Sequence, residues 1–302
     1  MPKIPTGVML MAYGGPDSLA DVEPYLLDVR GGRPTAPALV EEVRHRYALI
    51  GGRSPLLELT RAQARALQQA LGGEYKVYVG MRHWHPYIKE TMAAVAADGI
   101  ERLVAIVMAP HYSRMSVGAY MQRLGEARAA LAPGLQITEI ASWKTHPLLL
   151  DALAERTRAA LRRFDTDDVE IIFSAHSLPE RILVGGDPYP QELLETVHGL
   201  VARLGPVHWQ FAFQSAGSTG EKWLGPEVGE VIAQLAAQGK RDILVQPVGF
   251  VCDHVEILHD LDIVYMQQAQ ALGVHLERAE SLNAAPLLIS ALADLVHSMD
   301  HA

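Results

Sequence analysis

Short apolar runs alternate with amphipathic stretches along almost the whole of this 302-residue chain, and that alternation limits the fold more than any other feature. Apolar-rich runs read as strands at 7–13, 75–81, 103–109 and 135–141, then at 169–175, 208–214, 243–248 and 275–279. Between most of them lies a helical pattern, as at 58–71, 88–98, 191–204 and 228–238. Continuous apolar runs separated by helices describe parallel strands buried on both faces, because a parallel connection must cross over and its helix covers the sheet. The expected class is a doubly wound α/β architecture.

Four runs precede residue 150 and four follow it, and the halves are alike locally. The first strand of one half runs into Met11-Ala12-Tyr13-Gly14-Gly15-Pro16, and that of the other into Ser174-Ala175-His176-Ser177-Leu178-Pro179. Each places a polar ring near the strand end and a proline three residues later. A duplicated domain is therefore expected, with 1–148 as one domain and 149–284 as the other. A C-terminal helix within 285–302 is expected to pack back on the first. Ligands of open α/β sheets sit beyond the carboxyl ends of the strands. Tyr13 and His176 are then expected to face one another across an interdomain cleft.

Composition excludes several functions. Hydrophobic residues make up 49% and charged residues 20%, enough for a sizeable core. The formal charge of −9 is not that of a nucleic-acid binder. The only cysteine, Cys252, can form no internal disulfide and cannot supply the four thiolates of an iron–sulfur cluster. The N-terminal MPKIPTGVMLMAYGG is too short in its apolar run for a secretory signal, and no segment approaches the eighteen or so apolar residues that span a bilayer. A soluble cytoplasmic protein without a transmembrane segment is expected. After the first strand comes Gly14-Gly15-Pro16-Asp17, without the several glycines that present backbone NH groups to a dinucleotide or phosphate.

The second half carries a more pointed constellation. His176 lies in FSAHSLPER, and the stretch 249–260, GFVCDHVEILHD, follows another strand and opens a helix. On an α-helix Glu256 and Asp260, four apart, share a face. Imidazole with carboxylates suits a divalent first-row metal such as Fe(II), and the same groups can accept protons. The bland alternative is a hydrogen-bonded structural histidine and an acid at a helix start that complements the dipole. The zinc signature H-E-x-x-H is absent, since the segment reads H-V-E-I-L-H.

Two smaller clusters lie in the first half. Arg30, Arg33, Arg44, Arg46 and Arg53 stand against Asp28, Glu41 and Glu42, an excess that could serve an anionic ligand through bidentate contacts. Surface arginines around a helix are the alternative. Arg82-His83-Trp84-His85 follows a strand, and His83 is a secondary candidate for touching a ligand or metal, with ordinary surface histidines as the alternative.

SAHSLPER, QSAGSTGEKWLGP (214–226) and VGFVCDHVEILHDLD, in this order and spacing, resemble the ferrochelatase family over nearly the whole chain. The resemblance implies a chelatase fold of two similar Rossmann-like domains, each with a four-stranded parallel sheet flanked by helices, and a lyase that inserts Fe(II) into a porphyrin in haem biosynthesis. It implies that His176 and Glu256 bind Fe(II) and take up the pyrrole protons, with Asp260 further along the acidic row. The family's next acidic position is Val264 here. MAYGGP is similar to the coproporphyrin III enzymes, which carry a tyrosine in this place. Tyr13 is then an axial ligand of the product iron, and Arg30, Arg46, Tyr47, Ser54 and Tyr120 hold the propionates. The usual threonine after Tyr-Gly is Gly15, a departure expected to be of small consequence.

The resemblance further implies Fe(II) as substrate rather than cofactor, no tightly bound cofactor and no iron–sulfur cluster. A monomer that meets haem-pathway enzymes transiently is expected, with no nucleic-acid partner. Competing readings are a protoporphyrin IX ferrochelatase, a cobalt chelatase for sirohydrochlorin, and a non-catalytic haem carrier that uses Tyr13.

Overall fold

The computed structural model describes residues 5–217 and 220–300, and within them lie two all-parallel four-stranded sheets. The chain divides into two units, one made of Met1–Ser142, Cys252–Val255 and Asn283–Ala302, the other of Trp143–Val251 and Glu256–Leu282.

In the first unit the chain order is β1 (Thr6–Ala12), α1 (Val22–Val29), α2 (Pro37–Leu49), α3 (Leu56–Leu71), β2 (Tyr75–Met81), α4 (Ile88–Ala97), β3 (Arg102–Val107), α5 (Val117–Leu131) and β4 (Gln136–Ile140). The sheet order is β2-β1-β3-β4. All seven residues of β1 are buried, as a central parallel strand covered on both faces requires. Side chains alternate along it. Met9 and Met11 join a cluster with Ile88 and Met92 of α4 and Val117 and Leu124 of α5. The opposite face takes α3, whose Leu56, Thr60, Gln63, Ala64, Leu67 and Leu71 form one buried stripe.

The second unit repeats the pattern. It runs α6 (Pro147–Leu161), β5 (Glu170–His176), α7 (Arg181–Val184), α8 (Tyr189–Leu204), β6 (His208–Gln214), α9 (Val228–Ala237) and β7 (Asp242–Pro247). A π-helical segment, Glu256–Tyr265, leads into α10 (Met266–Ala271) and β8 (His275–Arg278). The order is β6-β5-β7-β8, the same as in the first sheet. Val231, Ile232 and Leu235 of α9 and Ile257, Leu261 and Tyr265 of the π segment pack on Ile172, Ala212, Ile243 and Val245 of the sheet. The last helix, α11 (Pro286–Asp300), lies against α3 in the first unit.

Each expected strand forms, with ends shifted by no more than two residues. The segment bearing Glu256 and Asp260 departs from expectation. It is a ten-residue π-helix rather than an α-helix, a form that is rare and concentrated at functional sites. Among the described residues no helix is long and apolar enough to cross a membrane.

Candidate active site

β5 ends on His176, and its neighbour across the ladder is Gln214, the last residue of β6. The His176 Nδ1 bonds the Ser177 carbonyl, so that nitrogen carries the proton. Its Nε2 stands 3.3 Å from Glu256 Oε1, at the first residue of the π segment. Neutral His176 therefore presents a lone pair towards the carboxylate, the arrangement a metal ion needs from both groups. The rings of Trp223 and Phe250 lie near the imidazole, with centroids 6.3 and 6.4 Å away. Gly249 permits the close exit from β7, because a Cβ there would come within 2.7 Å of the Ala175 Cβ. The Tyr189 hydroxyl donates to the His176 carbonyl at 2.9 Å.

Burial of the ring opposes its charge and by itself lowers the His176 pKa. The Glu256 charge and hydrogen bond, the Ser177 carbonyl and the Asp260 charge together outweigh burial and lift it to about 8. In the metal-free site the proton is thus held on His176, and a metal cation arriving there must displace it.

Asp260 lies one turn on. Its Oδ2 accepts from the Ser215 hydroxyl at 2.6 Å and its Oδ1 pairs with His259 Nδ1 at 2.8 Å. Val264, at the next position of the row, is exposed. His254, by contrast, bonds the Cys252 carbonyl at 3.0 Å in the first unit. Among the described residues no group of three or more His, Cys, Asp or Glu side chains is arranged to hold a metal ion.

The first unit carries the other sequence candidates. Tyr13 follows β1 with 39% of its surface exposed, and its ring lies 4.6 Å from that of His83. The ladder continues past the strand ends, with Arg82 N–H on the Ala12 carbonyl at 2.9 Å and His83 N–H on that of Tyr13 at 2.8 Å. His83 is buried, and its Nδ1 meets the Asp28 carboxylate at 2.8 Å. Burial, together with the Arg82 and Arg123 charges, lowers its pKa despite the Asp28 hydrogen bond and charge. His85 pairs with Glu90 in an exposed position. The Arg82 guanidinium lies 5.9 Å from the Tyr13 ring centre and 5.4 Å from that of buried Tyr120, so one cation joins the two tyrosines.

Tyr47 and Ser54 are buried and meet at Gly15. A Cβ at Gly15 would lie 2.5 Å from Ser54 Oγ and 3.4 Å from the Tyr47 hydroxyl. The departure from threonine, expected to be of small consequence, therefore shapes this corner. Arg46 is engaged with Glu42 one helical turn away, and Arg30 is exposed at the end of α1. Of the other arginines in the basic stretch, Arg44 pairs with Glu41 and Arg53 with Glu58.

Sequence reasoning did not single out Gln214, Ser215 or Tyr189, and it met Arg82 only as a neighbour of His83. Gln214 and Ser215 open the 214–226 motif, of which Ser218 and Thr219 lie outside the described residues.

The family model described as Ferrochelatase matches residues 5–300. A ferrochelatase of Herpetosiphon aurantiacus is 43% identical over 298 residues, covering 96% of this chain and 98% of the relative. A coproporphyrin III ferrochelatase of a Geobacillus species is 38% identical over 305 residues, 98% of each chain. Among solved structures, SirB from Bacillus subtilis with Fe3+ superposes with a TM-score of 0.61 at 12% identity, covering 98% of this chain and 95% of that one. CbiX, described as the terminal enzyme for biosynthesis of siroheme in denitrifying bacteria, gives 0.52 at 14% identity over 97% and 98%. At such identities these two structures speak to the fold alone.

Proposed function

Since this chain belongs to the ferrochelatase family, whose enzymes are lyases acting on porphyrin and iron, we propose that its own porphyrin is coproporphyrin III. The observation that carries this reading is Tyr13. It is a half-exposed phenol at the end of a central strand, fixed against His83 and beneath the Arg82 cation. A phenol oxygen held in this way suits the iron of the product. Coproporphyrin has four carboxylates and protoporphyrin two, so the buried hydroxyls of Tyr47, Ser54 and Tyr120 and the guanidinium groups of Arg30 and Arg46 have more to bind in the former. The Arg46–Glu42 pair must then open or share its charge when a propionate arrives.

Fe(II) is the second substrate in this reading. His176 and Glu256 receive it, and a two-residue site releases metal more readily than a closed set of four ligands. As the metal enters the ring, the two pyrrole protons pass to His176 Nε2 and the Glu256 carboxylate. Peripheral binding energy at the propionates offsets the cost of bending the macrocycle so that its nitrogens are reachable.

The test is anaerobic Fe(II) insertion followed optically, with coproporphyrin III and protoporphyrin IX side by side. A strong preference for coproporphyrin is expected. Preference for protoporphyrin would overturn the choice of substrate and leave the chelatase in place, whereas binding without insertion into either would favour a haem carrier.

A further inference from the structure

We infer that Gln214 and Ser215, consecutive residues at the end of β6, are positioning residues that clamp the π segment and so set the distance between Glu256 and His176. The inference rests on reading those two as the metal-insertion pair. Gln214 is fully buried, and it brackets both partners. Its amide oxygen accepts from the Ser174 hydroxyl at 2.8 Å, two residues before His176. Its main-chain carbonyl accepts from Ser177 N–H at 2.7 Å, one residue after His176. Its amide nitrogen donates to the Glu256 carbonyl at 3.1 Å. One side chain and its own backbone therefore tie the stretch around His176 to the first residue of the π segment.

Ser215 holds the next turn. Its φ is +59°, a left-handed conformation seldom adopted by residues other than glycine, asparagine and aspartate. Strain of this kind persists where the surroundings demand it, often beside functional groups. Here the turn aims the Ser215 hydroxyl at Asp260, 2.6 Å away, and brings its main chain to the Tyr265 hydroxyl, which also bonds Glu227. Two further bonds from Arg278 to Asp262, at 2.5 and 2.9 Å, fasten the same segment to β8. A π-helix packs its turns less favourably than an α-helix and rarely runs to ten residues. The tethers at Glu256, Asp260, Asp262 and Tyr265 supply what the local sequence does not.

The inference is tested with Gln214→Met, Ser215→Ala and Ser215→Asn, beside His176→Ala as a control. Steady-state kinetics are measured for Fe(II) and coproporphyrin III separately, with thermal melts of each protein. Displacement of a catalytic group by about 1 Å costs on the order of 10²-fold. Gln214→Met and Ser215→Ala are therefore expected to lower kcat by about 10- to 100-fold and raise KM for Fe(II), with KM for the porphyrin little changed. Asparagine tolerates the left-handed conformation and offers an amide donor to Asp260, so Ser215→Asn is expected to recover most of the loss. Wild-type kcat and iron KM in folded Gln214→Met and Ser215→Ala would overturn the clamp. So would losses that follow melting temperature alone and are not recovered by asparagine. If Gln214→Met does not fold, the two Ser215 variants decide. Full activity in His176→Ala would instead remove the insertion-pair reading on which the clamp depends.

Discussion

The His176 Nε2 and the Glu256 Oε1 stand 3.3 Å apart, where the last residue of one strand meets the first residue of a π-helix. Neither residue is near the other in sequence, and neither segment would hold its partner alone. The pair is 28% and 32% exposed at the side chains, open enough for an ion to enter and enclosed enough for the charges to be felt.

This contact makes stability depend on pH in a defined direction. The His176 pKa is raised from 6.5 to about 8 in the fold. A raised pKa means that the folded state holds the proton more tightly than the unfolded chain. The stabilisation is fully present below pH 6.5 and is lost as pH rises through about 8. Urea midpoints of the metal-free protein are expected to fall across this window, and Glu256→Gln is expected to flatten the fall. Parallel slopes in the two proteins would show that Glu256 does not hold the proton on His176.

Activity should report the same partnership. His176→Ala and Glu256→Gln are each expected to lower the iron-insertion rate by about 10²- to 10⁴-fold, the usual worth of a positioned proton acceptor. Because the two act as a unit, the double variant should lose little beyond the worse single one. Single-turnover measurements under anaerobic conditions separate this loss from any change in product release. Additive losses would assign the residues to independent steps.

Much of this arrangement can be read from the sequence, and the rest is hidden for physical reasons. The run at 7–13 overlaps all but the first residue of the central strand β1, because a parallel strand buried on both faces is apolar and announces itself. The runs at 208–214 and 75–81 coincide with β6 and β2, although these are edge strands interrupted by His208, Gln210 and Lys76. His176 and Glu256 are legible through their motifs. The π form of Glu256–Tyr265 is not, because Ile257, Leu261 and Tyr265 recur every fourth residue, a spacing that also describes an α-helix stripe. What widens the helix is held by Gln214, Ser215 and Arg278, all distant in sequence. The role of Gly15 is hidden for a similar reason, since a missing side chain shows its purpose only when Ser54 is seen beside it.

Cys252 should behave as an inert thiol. It is 5% exposed, and burial followed by the Asp253 charge pushes its pKa up to about 12. Thiolate is the reactive form, so little is present at neutral pH. Ellman's reagent is expected to leave the native protein almost unmodified over the time in which it titrates one thiol per chain in denaturant. Fast reaction of the native protein would mean that the Cys252–Val255 segment opens readily.

Gly15 offers the sharpest test of how the porphyrin is held. A Cβ at this position would stand 2.5 Å from Ser54 Oγ and 2.6 Å from Ser54 Cβ, closer than such atoms come in folded proteins. Ser54 cannot simply swing aside, because its N–H is donated to the Pro16 carbonyl at 2.9 Å and its hydroxyl accepts from Leu56 N–H at 3.3 Å. Gly15→Thr must therefore push the Ser54 loop away from Tyr47. If these hydroxyls bind a propionate, the loss of one hydrogen bond to a charged group raises KM for coproporphyrin III by about tenfold or more. The rate at saturation should change little, since His176 and Glu256 belong to the other unit. Gly15→Ala should show a smaller effect in the same direction. An unchanged coproporphyrin KM in Gly15→Thr, with Fe(II) insertion intact, would place the propionates away from Ser54 and Tyr47.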